Sequence, residues 1–236
     1  MTNKWFSYIK IDRQNGFVFA SGISFNEFYN GIELKPPNLL LLEGYTLESI
    51  LNKNLFLEHI SSEKIEEFSK SNVYDLGNFC CMDFPEPIAL SNVSNDELAE
   101  MLYFAHKGEP LKSFHINGLQ NRFAYISHDD NWWAKVYMKN VEDYKAILNY
   151  KICKEIKGRK RTISPVQSEI MNQLFKMFED GAVLDFENST PWGVRVYPVG
   201  NIEMIDNIHL QLDKHRNIHD GVFLDYSIRK KCWAIY

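Results

Sequence analysis

The chain has 236 residues, 45% hydrophobic and 24% charged, with 26 Lys+Arg against 31 Asp+Glu for a net charge of −5. Those proportions exclude a disordered chain, a collagen-like repeat and a disulfide-stapled miniprotein, and the length allows one large domain or two small ones. The longest aliphatic runs, such as Leu39–Leu42, fall far short of the ~20 residues that span a bilayer, so no membrane partner is expected.

In chain order, Trp5–Ile11 and Phe17–Ser21 read as a hairpin around the turn-forming Asp12-Arg-Gln-Asn-Gly16. Ser24-Phe-Asn-Glu27 matches a capping box, in which the hydroxyl accepts an early helix N–H and the carboxylate reaches back. A short helix through Phe28 and Ile32 should follow, ended by Pro36-Pro37, and Asn38–Glu43 reads as a buried strand. Leu55–Ile60 predicts a strand and 62–71 a helix with Ile65 and Phe68 inward. A strand-like FCCMDF precedes a second capping box, Ser94-Asn-Asp-Glu97. The helix it opens carries Leu98, Met101, Leu102 and Ala105 at helical spacing and stops at Gly108 and Pro110.

Arg122–His128 and Trp132–Met138 alternate as two strands about Asp129-Asp-Asn131, with Trp133, Lys135 and Tyr137 on one face. Val141–Ile156 predicts a helix with a stripe of Tyr144, Ile147, Leu148 and Ile152. Ser164-Pro-Val-Gln167 reads as a third capping box with Pro at the first helical position, opening a helix to Glu179 that turns Ile170, Leu174, Met177 and Phe178 inward. Two strands follow, Ala182–Glu187 and Trp192–Val199, then a helix near Ile202–His215 and a closing hairpin of Val222–Ile228 and Cys232–Tyr236.

Helices and hairpins intermix without regular βαβ alternation, which predicts an α+β fold of mixed antiparallel sheets and hairpins with packed helices. The polar stretch 157–164 is a candidate linker between an acidic α+β region, 1–156, and a helix plus β-rich region, 165–236. It is also short enough to be a loop inside a single domain.

None of the four cysteines, Cys80, Cys81, Cys153 and Cys232, forms a CxxC pair, and neighbours in a strand point to opposite faces. Cys80 and Cys81 therefore read as small buried apolar groups. Free thiols and a first segment without a secretory pattern point to the cytoplasm. The chain carries no GxxxxGK(S/T) or GxGxxG phosphate-cradling loop, no GxSxG nucleophile elbow and no HExxH or HxH, so no cofactor and no metal site is expected. His215 and His219 are spaced i, i+4, but Asn217 and Gly221 suggest that the helix is ending there.

The most concentrated polar segment is His128-Asp129-Asp130, followed by Trp132 and Trp133. An imidazole and two carboxylates are able to exchange a proton, and two indoles are able to anchor a protein partner. The same residues also make ordinary hairpin-turn chemistry. A second cluster, Lys151, Lys154, Lys157, Arg159, Lys160 and Arg161, reads either as a phosphate-binding patch or as the solvated end of a helix. Residues 1–150 sum to −7 and residues 151–236 to +2, and an acidic protein with one basic turn is a poor nucleic-acid partner.

At WFSYIKI (5–11), DELAEMLYFAHKGEPL (96–111) and NRFAYISHDDNWWAKVY (121–137) the chain resembles a family of small, uncharacterised Bacillus-type bacterial proteins. Members often carry the label oxalate:formate antiporter. The resemblance covers most of residues 4–150; it implies a soluble bacterial protein and supplies no catalytic motif. The label itself conflicts with the sequence, because alternating access needs many apolar helices. The leading expectation is a protein-binding role of the immunity, inhibitor or phage-defence kind. The alternative is an enzyme or small-ligand binder using His128–Asp130. A homo-oligomer through the C-terminal strand stays open.

Overall fold

A computed structural model describes residues 6–43, 56–70, 79–128, 132–156, 163–202 and 206–236. Its first half contains β1 (Phe6–Asp12), β2 (Phe17–Ser21), α1 (Phe25–Gly31), β3 (Asn38–Glu43), β4 (Phe56–Ser61), α2 (Ser62–Lys70) and β5 (Phe79–Phe84). A short helix α3 (Ala89–Asn92), α4 (Asn95–Lys107), β6 (Phe123–His128), β7 (Trp133–Met138) and α5 (Tyr144–Glu155) follow. The remainder is α6 (Ser168–Asp180), β8 (Ala182–Thr190), β9 (Gly193–Tyr197), α7 (Asp206–Ile218), β10 (Val222–Ser227) and β11 (Cys232–Ile235).

The eleven strands of the described residues join one sheet in the order β11-β10-β9-β8-β1-β2-β7-β6-β5-β3-β4, and each pairing is antiparallel. The α+β expectation holds. The first strand sits near the middle, paired to β2 on one side and to β8 on the other, with Ile9 opposite Ala182. Hydrogen bonding is thus continuous between the regions on either side of the candidate linker 157–164, of which residues 157–162 lie outside the described residues. Among the described residues, no helix is long and apolar enough to cross a membrane.

Period-two alternation gives the sheet two buried faces. Ile9, Ile11, Val18, Ala20, Ala134 and Val136 point to one face, where α1, α2, α5 and α6 cover them. Phe25 and Phe28 of α1 meet Tyr125 at ring distances of 5.0 and 5.1 Å, contacts worth about 0.5–1.5 kcal/mol each beyond their buried area. Gly31 lets α1 lie directly on α5, since a β-carbon there would stand 2.6 Å from the Ile147 Cα. The opposite face carries two separate clusters. One packs Met101, Phe104 and Ala105 of α4 on β5, β6 and Tyr137; the other packs Ile208 and Leu212 of α7 on Phe6, Tyr8, Val183 and Tyr197.

Two capping boxes form as expected: the Ser24 hydroxyl accepts from Glu27 N and the Ser94 hydroxyl from Glu97 N, each at 3.3 Å. The third does not. The α6 helix starts at Ser168, after Gln167, with no side-chain cap. Ser164-Pro-Val-Gln167 is instead bound to the closing hairpin and to α5. The Ser164 carbonyl accepts Trp233 Nε1 at 2.8 Å, the Ser164 hydroxyl meets the Tyr226 hydroxyl at 3.2 Å, and Gln167 Oε1 accepts Trp233 N at 3.0 Å. Asn149 Oδ1 takes the Val166 N–H at 3.0 Å. Distant partners outcompete the local cap, and the buried stripe of α6 becomes Met171, Leu174, Phe175 and Phe178, with Ile170 and Met177 only partly buried at its margins.

Cys80 and Cys81 point to opposite faces and are fully buried, and burial pushes both thiols up. A native-state alkylating reagent is therefore expected to reach the half-buried Cys232 and to spare Cys80 and Cys81 until the protein unfolds. Mass spectrometry of the labelled chain reads this directly.

Candidate functional site

The two clusters of the second face leave a strip of β1, β2 and β7 between them. Register fixes what that strip displays. Phe19 lies between Lys10 and Lys135, Phe17 between Asp12 and Tyr137, and Ser21 between Tyr8 and Trp133. Phe17 packs against the α4 cluster and Phe19 against the α7 cluster, and each is only partly buried. The strip is a row of aromatic rings with lysines set among them.

At one end of the strip, His128 and Trp133 form a cross-strand pair whose rings stack at 4.0 Å and 15°. Phe19 packs against the same indole at 5.0 Å. Gly108, the left-handed C-cap of α4 at φ 68°, lies against the imidazole; a β-carbon there would stand 3.3 Å from His128 Nε2. Trp133 is thus clamped between two rings, while Trp132, just before the strand, is 47% exposed. Its carbonyl accepts the Ser21 hydroxyl at 3.0 Å, which ties the hairpin end to β2. Asp129 and Asp130 lie outside the described residues.

At the other end is a cleft of about 680 Å³. Asp12, Gln14, Asn15 and Phe17 form one bank, Glu109, Pro110 and Lys112 to Phe114 the other, and Lys135 and Tyr137 the floor. The Lys135 ammonium sits 4.3 Å from the Phe17 ring centre and 5.1 Å from that of Tyr137. Its nearest carboxylate, Glu109, is 3.8 Å away, and its side chain is only 16% exposed. Burial lowers the Lys135 pKa, and Glu109 and Asp12 offset part of that effect. The Tyr137 hydroxyl donates to the Gly108 carbonyl at 3.2 Å, so the turn after α4 links both ends of the strip. Sequence reasoning placed Trp133, Lys135 and Tyr137 on one face but did not single out Lys135. Only the packing of residues 109–114 opposite the first hairpin makes it the floor of a cleft.

Neither His128 nor Trp132 lines that cleft, so the structure separates the imidazole from the polar groups that gather around Lys135. A second, smaller hollow of about 200 Å³ lies beside Arg122, Lys139 and Asn140. Its guanidinium is committed: Arg122 Nε donates to the buried Asp83 at 2.6 Å and Nη2 to the Leu34 carbonyl at 3.1 Å.

The basic cluster is partly spent inside the protein. Lys151 is buried and pairs with Glu27 and Glu155, each at 2.9 Å, while Lys154 pairs with the same Glu27 oxygen at 2.8 Å. Lys157, Arg159, Lys160 and Arg161 lie outside the described residues. At the far end of the chain, α7 runs on to Ile218 rather than ending near His215, and His215 Nδ1 faces the Asp220 carboxylate at 2.7 Å. His219 has left the helix at φ 55°, so the i, i+4 spacing does not produce a two-histidine face. Among the described residues, no group of three His, Cys, Asp or Glu side chains is placed to hold a metal ion.

Comparison with protein-family models, with curated proteins and with solved structures finds no match to this chain.

Proposed function

We propose that this chain works by binding another protein, with Trp132, Trp133 and the aromatic strip as the contact surface. The observation that carries the reading is the half-exposed Trp132, next in sequence to a Trp133 whose indole packs between His128 and Phe19. A large aromatic side chain beside an already ordered neighbour loses little entropy on docking, which is why such residues dominate interface energetics. The net charge of −7 over residues 1–150 favours a partner more basic than this chain, whose approach it accelerates. Inhibitor, immunity or phage-defence roles, in which a protein acts by occupying another's surface, fit this kind of site.

The reading is tested by placing a photo-crosslinking residue at 132, and in a control at Ile228 on the β10–β11 turn, in the native host. One basic partner captured from position 132 and not from 228 is the expected result, and its purified complex should weaken at least tenfold in Trp132→Ala. Identical adducts from both positions, or none from 132, overturn it. Trp132→Ala is the cleaner variant because its exposed ring contributes within about 0.5 kcal/mol to stability. Trp133→Ala would also remove the stack on His128 and Phe19.

A further inference from the structure

The Lys135 cleft, at the end of the strip away from Trp132, has a charge pattern of its own. Its floor is an ammonium that the fold has largely removed from water and surrounded with ring faces. Among the described residues its nearest carboxylate stands at 3.8 Å, beyond hydrogen-bond reach, and belongs to Glu109, a side chain 76% exposed on the opposite bank. The other bank's acid, Asp12, is turned toward its own hairpin, accepting Asn15 N at 2.9 Å and Asn15 Nδ2 at 2.8 Å. Lys112, also on the rim, is taken up by Glu100 at 2.7 Å. What a ligand meets is one half-buried cation, the exposed Glu109 carboxylate paired with it at 3.8 Å without a hydrogen bond, the polar side chains of Gln14, Asn15 and Ser113, and the apolar surfaces of Phe17 and Phe114.

We propose that this cleft binds a small zwitterion, an α-amino acid with a flat apolar side chain. Its carboxylate would lie on Lys135 Nζ, its ammonium on Glu109, and its side chain between the banks at Phe17 and Phe114. A carboxylate alone would meet Glu109 and Asp12 as like charges, and an ammonium alone would meet Lys135; only a ligand carrying both signs close together satisfies both. A volume of about 680 Å³ is within the range of small-molecule pockets and accommodates a molecule of this size with ordered water.

Calorimetric titration of the whole chain with L-phenylalanine, and separately with hydrocinnamate and phenethylamine, distinguishes the possibilities. Saturable binding of L-phenylalanine is expected, with each singly charged analogue at least tenfold weaker. Lys135→Met should weaken L-phenylalanine tenfold or more, and Glu109→Gln several-fold. Because Glu109 is exposed, its variant keeps the test open even if Lys135→Met unfolds. No saturable binding of L-phenylalanine, equal binding of either analogue, or unchanged binding in Glu109→Gln overturns the proposal. Trp132→Ala should leave the titration unchanged, so failure here and failure of the protein-binding reading are separately visible.

Discussion

Replacing Glu27 with Ala is expected to cost the fold about 3–5 kcal/mol, read as a lower urea midpoint with an unchanged slope. Glu27 is buried between α1 and α5 and serves two purposes at once. One oxygen accepts the Ser24 N–H at 3.0 Å and closes the first capping box, while the other accepts Lys151 and Lys154. Truncation opens the cap and leaves the Lys151 ammonium buried with Glu155 as its one remaining carboxylate among the described residues. The large value comes from that stranded charge, because an intact buried pair contributes far less than its rupture costs. Glu27→Gln, which keeps an acceptor for Ser24, should lose less.

The same group gives a pH signature. Burial alone acts to raise the Glu27 pKa, but Lys151, followed by Lys154, outweighs it and holds the carboxyl below its ordinary 4.5. The folded pKa is thus depressed, so the contribution is complete above the unfolded-chain value and is lost as pH falls through the lower folded value. Wild type should lose stability in urea progressively below about pH 4.5, and Glu27→Ala should lack that component of the decline.

The second large effect is expected at the helix that forms one wall of the aromatic strip. Arg216 of α7 donates Nε and Nη2 to Asp185 of β8 at 2.9 and 2.7 Å, and Nη2 also reaches Glu187 at 2.7 Å. The Asp185 side chain is fully buried. Burial acts to raise its pKa, and Arg216 with Asn188 more than reverses that and holds it below the usual carboxylate value. Arg216→Met keeps the aliphatic stem and removes the fork, leaving a buried carboxylate with only neutral donors. A loss of about 3 kcal/mol is expected, with part of it restored in the double variant with Asp185→Asn, where no charge is left stranded. If the double variant is no better than Arg216→Met, the loss comes from packing and not from the charge. Because α7 flanks Phe19 through Tyr8, Arg216→Met should also increase solvent access to the strip, seen as a larger solvent-isotope shift of the Trp133 signal in fluorotryptophan 19F NMR, the one signal of five that Trp133→Phe removes.

The first two capping boxes and the alternation of β7 were legible because each depends on residues no more than a few positions apart. Ser24 finds Glu27 three residues on, whatever the rest of the chain does. Alternation likewise puts Trp133, Lys135 and Tyr137 on one side of β7 and Ala134, Val136 and Met138 on the other. Ser164 shows where that logic stops. It has the right residues for a cap, but Tyr226 and Trp233, more than sixty positions away, take its hydroxyl and carbonyl. Lys151 shows the same limit for charge: in sequence it opens a basic run, and in space it is neutralised by a carboxylate 124 residues earlier.

By itself, then, the sequence determined the element types apart from the short α3, the α+β class and the partition of side chains between sheet faces, because periodicity and caps are short-range. Tertiary structure alone decided that β1 pairs with β8 as well as β2, that α4 and α7 cover the second face incompletely, and that Lys135 floors a cleft between two loops. Those outcomes depend on which distant surfaces bury one another. A strand's alternation shows which side chains it presents to each face, but not which helix covers that face or how much of it stays open.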